Sequence, residues 1–109
     1  MNDDNTIFVS NKRSVVSFVL AAVTMFNRGA ELITFKARGK AITRAIDSVE
    51  VLRNKFMTDI NPKNITIGIG TETYENADEN GNKDGTKTAL STIEIIVRRP
   101  KQVVKNETT

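Results

Sequence analysis

Leu32-Ile33-Thr34-Phe35-Lys36-Ala37-Arg38-Gly39-Lys40-Ala41-Ile42-Thr43-Arg44-Ala45-Ile46-Asp47-Ser48-Val49-Glu50-Val51-Leu52-Arg53-Asn54-Lys55-Phe56 holds a strand, a break and a helix in one run. Residues 32–37 read as a strand, and Arg38-Gly39 ends it. Beyond the glycine, Ile42, Ala45, Ile46, Val49, Leu52 and Phe56 recur at i, i+3, i+4 and i+7, the spacing of a single apolar stripe on a core-facing helix. Polar and charged residues fill much of the remaining circumference.

Upstream, Ile7-Phe8-Val9 is a short β-branched and aromatic run, read as a strand over about 6–10. Ser10 to Ser14 is turn-prone, and Asn11 and Ser14 are both candidate caps. Residues 15–27 are apolar nearly all round, which predicts a helix buried on most sides, with Gly29 just past its end. Two buried strands are the alternative, but length favours a helix. Downstream, Ile65 to Tyr74 and Thr92 to Arg99 alternate with period two and read as strands. Residues 76–88 contain no Val, Ile, Leu or aromatic residue and read as a mobile loop between them.

The order is therefore β-α-β-α-β-β. The first two strands pair in parallel through helical crossovers, and the last two form an antiparallel hairpin. The expected fold class is α/β: a two-layer sandwich with a four-stranded mixed sheet, two helices on one face and a long hairpin. Residues 1–5 and 100–109 are expected to be disordered ends around a single domain at 6–99.

The chain has 109 residues, with no Cys and no His. Disulfides, thiolate nucleophiles and cysteine metal sites are thereby excluded, along with the commonest general base. Carboxylates, lysines, Tyr74 and hydroxyls form no recognisable catalytic constellation, so no enzyme activity, cofactor or metal site is expected. No apolar run nears the roughly 18 residues of a membrane span, and the acidic start is unlike a signal peptide. The expected setting is soluble and intracellular, with no membrane partner.

The net charge is only +3, but it is unevenly spread. Residues 11–55 carry Lys12, Arg13, Arg28, Lys36, Arg38, Lys40, Arg44, Arg53 and Lys55 against Glu31, Asp47 and Glu50, a net of +6. Lys12-Arg13 falls in the first βα loop. Lys36, Arg38 and Lys40 fall around the second, with Arg44 one turn further along the helix face of Lys40. Adjacent parallel strands deliver such loops to one edge of the sheet, where cations gather into a phosphate-binding strip.

Ile7-Phe8-Val9-Ser10-Asn11-Lys12-Arg13, Phe18-Val19-Leu20-Ala21-Ala22, Lys36-Ala37-Arg38-Gly39-Lys40-Ala41-Ile42, Val49 to Phe56 and Ser91-Thr92-Ile93-Glu94-Ile95 resemble the Alba family of archaeal chromatin proteins over about residues 6–99. The Lys36–Ile42 block is the most specific part. The resemblance implies an architectural homodimer that binds double-stranded DNA, and RNA, with little sequence preference. DNA compaction or bridging would follow, in the cytoplasm on the nucleoid. It implies nucleic-acid contacts for Lys12, Arg13, Lys36, Arg38 and Lys40; Arg44, on the helix face of Lys40, and Lys83 and Lys87, on the hairpin arm, are further candidate contacts by their placement. It further implies acetylation of Lys12, reversed by a Sir2-type deacetylase, and a contact between neighbouring dimers at Phe56. Where the family often carries Gly-Lys-Lys-Pro, this chain has Asn11-Lys12-Arg13-Ser14, which keeps the charge and alters the turn. Asp78, Glu79 and Asp84 outnumber Lys83 and Lys87 at the hairpin tip, so the body is expected to supply most of the affinity.

Competing readings accompany several of these residues. Phe56 fits the core stripe equally well. Gly68-Ile69-Gly70 lacks the following helix of a phosphate loop and reads as strand glycines. Asp47 and Glu50 are spaced to chelate a cation, but Arg44 and Arg53 make ion pairing the better reading. A non-catalytic RNA-binding subunit of a ribonucleoprotein is the alternative function.

Overall fold

Apart from buried Thr34, burial alternates along the inner parts of the two central strands and thereby defines the layers. The computed structural model describes residues 5–100. Its elements are β1 (Thr6–Phe8), α1 (Val15–Asn27), β2 (Leu32–Arg38), a 3-10 turn (Gly39–Ala41), α2 (Ile42–Val51) continued by a π turn (Leu52–Phe56), a 3-10 turn (Pro62–Asn64), β3 (Ile65–Ala77) and β4 (Lys83–Arg98). The sheet order is β1-β2-β4-β3, with β1 and β2 parallel and the other pairs antiparallel. Ile33, Phe35 and Ala37 of β2 and Ile93, Ile95 and Val97 of β4 share one core with Phe18, Val19, Ala22 and Phe26 of α1 and Ala45 and Val49 of α2. The intervening Lys36, Arg38, Glu94 and Arg98 face the other way. Both helices therefore cover one face and leave the other open, the expected two-layer sandwich.

Local chemistry sets the boundaries. Ser14 caps α1, its Oγ accepting from the Ser17 amide at 3.3 Å. Gly29 follows the C-terminus at φ +105°, a left-handed geometry that costs glycine no Cβ clash. The Arg99 guanidinium donates to the Phe26 carbonyl at 2.7 Å and pins that helix end to the last strand. β1 is shorter than expected, although the Val9 amide still donates to the Lys36 carbonyl at 2.8 Å. The Asn5 carbonyl accepts from the Thr34 amide at 2.9 Å. The remaining end residues assigned to disorder, 1–4 and 101–109, lie outside the described residues.

Two expectations need correction. In the isolated chain α1 is not buried on most sides: Val16 and Leu20 are about half exposed. A two-layer fold covers a helix only where it meets the sheet and its neighbouring helix. The second correction concerns residues 76–88, which are mostly strand. β3 runs to Ala77 and β4 starts at Lys83, leaving only Asp78–Asn82 as the turn. No core holds this arm. The Asn76 amide donates to Thr86 Oγ1 at 2.8 Å, and the Thr88 hydroxyl donates to Asn76 Oδ1 at 2.9 Å. Asp78 Oδ1 closes the turn by accepting from the amides of Asn80 and Asn82, each at 2.9 Å. β2 ends opposite Thr92, so Lys83 to Ser91 project beyond the body by roughly 30 Å at about 3.3 Å per residue. The long axis of the molecule, 69 Å against 25 and 22 Å, reflects that arm. No helix among the described residues is long and apolar enough to cross a membrane.

Candidate nucleic-acid interface

Because β1 and β2 are parallel, the loops that follow them leave the sheet at one end, the end from which the arm also projects. Lys12 and Arg13 are exposed in the first loop, where the Lys12 amide donates to Ser10 Oγ at 3.3 Å. In the second, Arg38 ends β2 in extended geometry and Gly39 turns at φ +58°, which presents Lys40 to solvent. A Cβ at residue 39 would lie 3.5 Å from Leu90, ordinary contact, so the left-handed backbone rather than crowding calls for glycine here.

The first loop is tied to α2, the helix that follows the second. Arg44, half-buried on α2, donates from a terminal guanidinium nitrogen to the Arg13 carbonyl at 2.9 Å. Its Nε is buried without a partner. Arg44, expected to contact nucleic acid, thus spends part of its guanidinium holding Arg13 in place.

Lys36 and Arg38 belong to a different surface. They alternate with buried Phe35 and Ala37 and so emerge on the open face of the sheet. Lys36 Nζ lies 4.0 Å from Glu94 Oε2, its partner in register. Arg38 pairs with Glu72 Oε1 at 3.2 Å and lies 5.0 Å from the centre of the Tyr74 ring. The Tyr74 hydroxyl accepts from Arg38 and donates to Glu72. The Tyr74 and Arg38 hydrogen bonds hold the Glu72 carboxyl below the usual carboxylate range, and Glu72 pushes the Tyr74 phenol up. A cavity of about 620 Å³ crosses this face, with Phe8, Lys36 and Arg38 on one side and Gly68, Gly70 and Glu72 on the other.

The arm cations are partly engaged as well. Lys83 Nζ pairs with Glu75 at 2.8 Å, and Lys87 faces the same Glu75 in the ladder. Asp84 accepts from the Thr86 hydroxyl and amide, which lowers its pKa and keeps it charged.

Phe56 is 48 % exposed and does not join the core. Glu50, one of the two carboxylates spaced to chelate, is instead held by Arg53 at 2.9 and 3.1 Å, which lowers its pKa. Among the described residues no cluster of three or more potential ligands could hold a metal ion. Ile46 of α2 and Ile67 of β3 line a hollow of about 210 Å³, with Ile69 further along the strand 84 % exposed. The exposure of Ile67 and Ile69 escapes a reading of periodicity alone, because they share the face of buried Ile95 and Ile93; its cause is the position of β3 at the sheet edge, beyond the reach of two helices. Phe8 is exposed by parity, alternating with buried Ile7 and Val9 and emerging on the open face beside Lys36.

A family model described as Alba matches residues 5–69. The chain is 46 % identical over 101 residues to a "DNA/RNA-binding protein Alba" from Methanocella arvoryzae, an alignment covering 93 % of this chain and 96 % of the relative. It is 44 % identical to a protein of the same description from Methanoculleus marisnigri, covering 93 % and 100 %. The solved structure of Alba from Thermoplasma volcanium superposes with a TM-score of 0.72 at 38 % identity, covering 87 % of this chain and all of that one.

Proposed function

The chain belongs to the Alba family, and from that premise we propose that it is an architectural protein that binds double-stranded DNA, and RNA, through phosphate contacts with little sequence preference. The observation that carries this reading is the Arg44 contact to the Arg13 carbonyl, which fixes the first cationic βα loop against α2, the helix that follows the second. Lys12, Arg13 and Lys40 are the exposed charges of that edge. Point charges and a guanidinium fork on a fixed frame suit a phosphate backbone and read no base identity. The relatives described as DNA/RNA-binding proteins support the same partner class.

The working unit is a homodimer. Ile46, Ile67 and Ile69 form an apolar patch that a second copy would cover, and pairing two bodies doubles the cations facing one duplex. Phe56 lies outside the core and is available for contact between dimers, which would let bound proteins compact or bridge DNA on the chromosome. Lys12 is an exposed lysine whose acetylation would remove one charge from the edge, and a Sir2-type deacetylase would restore it.

Salt titration tests the proposal. Affinity for random duplex DNA should fall linearly on a log–log plot, with a slope near −0.9 per neutralised phosphate. A salt-independent Kd would overturn it. Duplex DNA, structured RNA and single strands compared at one salt concentration would rank the targets.

A further inference from the structure

We infer that the open face of the sheet is a second nucleic-acid site, shaped for an unpaired base of a single strand rather than for a duplex. The inference rests on the phosphate-binding reading only in expecting a nucleic acid as partner; the cavity reaches Ser10 at the start of the Lys12–Arg13 loop, but Phe8, Gly68 and Gly70, which shape it, lie outside that loop.

The cavity on that face has the volume of a small-ligand site, for which about 300–1,000 Å³ is usual. Its floor is bare because Gly68 and Gly70 stand opposite Glu94 and Thr92 in the ladder. A Cβ at Gly70 would press to 3.2 Å from Thr92 Oγ1, and nothing lies within 4 Å of one at Gly68. At the other end of the cavity, across β2 and β4, Phe8, in register with Lys36, leaves 72 % of its surface in water. A solvent-facing aromatic ring on a strand is a platform on which an unpaired base can stack. A duplex keeps its base faces stacked internally and cannot use it.

The charges point the same way. Lys36 and Arg38 carry the phosphate affinity, while Glu94 and Glu72 lie beside them at 4.0 and 3.2 Å. Two carboxylates repel a bare phosphate strip. They also accept hydrogen bonds from the amino groups that an unpaired base presents at its edge. Alternating cations and carboxylates next to an exposed ring therefore match a nucleotide better than the outside of a double helix.

The test measures the full chain against a fluorescent single-stranded DNA, a single-stranded RNA of the same sequence, and a duplex, for wild type, Phe8→Ala and Phe8→Leu. Loss of one base stack should weaken single-strand binding by about 5- to 100-fold on at least one of the two strands. Both variants should show it, and duplex affinity should hold within about two-fold. Equal weakening on duplex, no weakening on either strand, or full single-strand affinity in Phe8→Leu would overturn the inference. So would a change in oligomeric mass in Phe8→Ala, which would make the ring a self-association contact. A Lys12→Ala/Arg13→Ala variant run alongside separates the two readings: unchanged duplex affinity there counts against the loop edge and leaves the Phe8 result to stand or fall alone.

Discussion

The Arg44 guanidinium donates to the Arg13 backbone carbonyl at 2.9 Å, joining α2 to the loop that carries Lys12. The contact places Arg44 beneath the cationic edge, so its removal should act through geometry more than through charge. Arg44→Ala is expected to cost about 1 kcal/mol of stability, the usual net worth of one hydrogen bond, since partial exposure reduces the extra contribution of its charge. Duplex binding should weaken while the salt slope stays near the wild-type value. Chemical denaturation and a salt series check both halves; a slope reduced by a full unit would make Arg44 a phosphate ligand in its own right.

Lys12→Ala/Arg13→Ala is expected to behave oppositely. Both side chains are exposed, so folding stability should hardly change, while duplex affinity falls strongly and the salt slope drops by roughly 2. Lys12→Gln, which imitates the charge loss of acetylation, should remove roughly 1. Fluorescence anisotropy across a salt series reads both.

The hairpin tip is expected to matter little. Lys83 is paired with Glu75, and Asp78, Glu79 and Asp84 repel the phosphates that flank a groove. Glu75 and Lys87 face each other in the ladder, so replacing residues 76–86 with an Asn-Gly turn closes a two-residue hairpin at a natural position. Duplex affinity should stay within about three-fold of wild type by charge bookkeeping. A much larger loss would show that the arm, not the body, holds the duplex.

Much of this is legible in the amino-acid sequence, and the exceptions share physical causes. Ala45, Val49 and Leu52 of the helical stripe and the alternation of Ile93, Ile95 and Val97 report a core, so hydrophobic period finds them, whereas Ile46, expected on the same stripe, is 42 % exposed because it turns toward the uncovered edge strand β3. The outer arm buries nothing. It is held by Asn76, Thr86 and Thr88, which carry no apolar signal and therefore resemble a loop. Phe56 lies on the α-helical stripe in sequence, but the Leu52–Phe56 turn closes on an i to i+5 bond from the Met57 amide to the Leu52 carbonyl at 2.7 Å. The wider turn rotates Phe56 off the stripe and into solvent. The cations of the βα loops followed from topology. The separation of Lys36 and Arg38 onto the open face was available in strand parity, since each alternates with a buried neighbour. Their pairing with Glu94 and Glu72 was not, because it depends on the register between strands far apart in sequence.

The Glu72 pair carries a pH dependence of definite sign. Hydrogen bonds from Tyr74 and Arg38 lower the Glu72 pKa in the folded state. Its contribution is therefore complete above the unfolded-state value and is lost as pH falls through the lower folded value. Tyr74 is shifted up by Glu72, so its contribution is complete below the ordinary phenol range and disappears as pH rises through the raised folded value. The base of the arm should accordingly be tightest between the carboxylate and phenol ranges. Carboxyl chemical shifts followed through acid should show Glu72 titrating below a free glutamate and moving back up in Tyr74→Phe. An unshifted Glu72 would mean that the pair is open in solution.

Self-association supplies the remaining test, because it decides whether one or two cationic edges face a duplex. Ile69 is 84 % exposed and Ile67 59 % on β3, an edge strand of the sheet, beside the hollow lined by Ile46 and Pro62. At about 25 cal/mol per Å² of apolar surface, leaving such a patch in water forfeits stabilisation that a second copy would recover. Wild-type protein should scatter light as a dimer at micromolar concentration. Ile67→Glu/Ile69→Glu would place two carboxylates per chain in that contact and should shift the mass to a monomer, with duplex affinity falling because the paired edges separate. A wild-type monomer would remove the paired geometry. A double variant that stays dimeric would move the contact elsewhere, with the half-exposed Val16 and Leu20 of α1 the next surface to test.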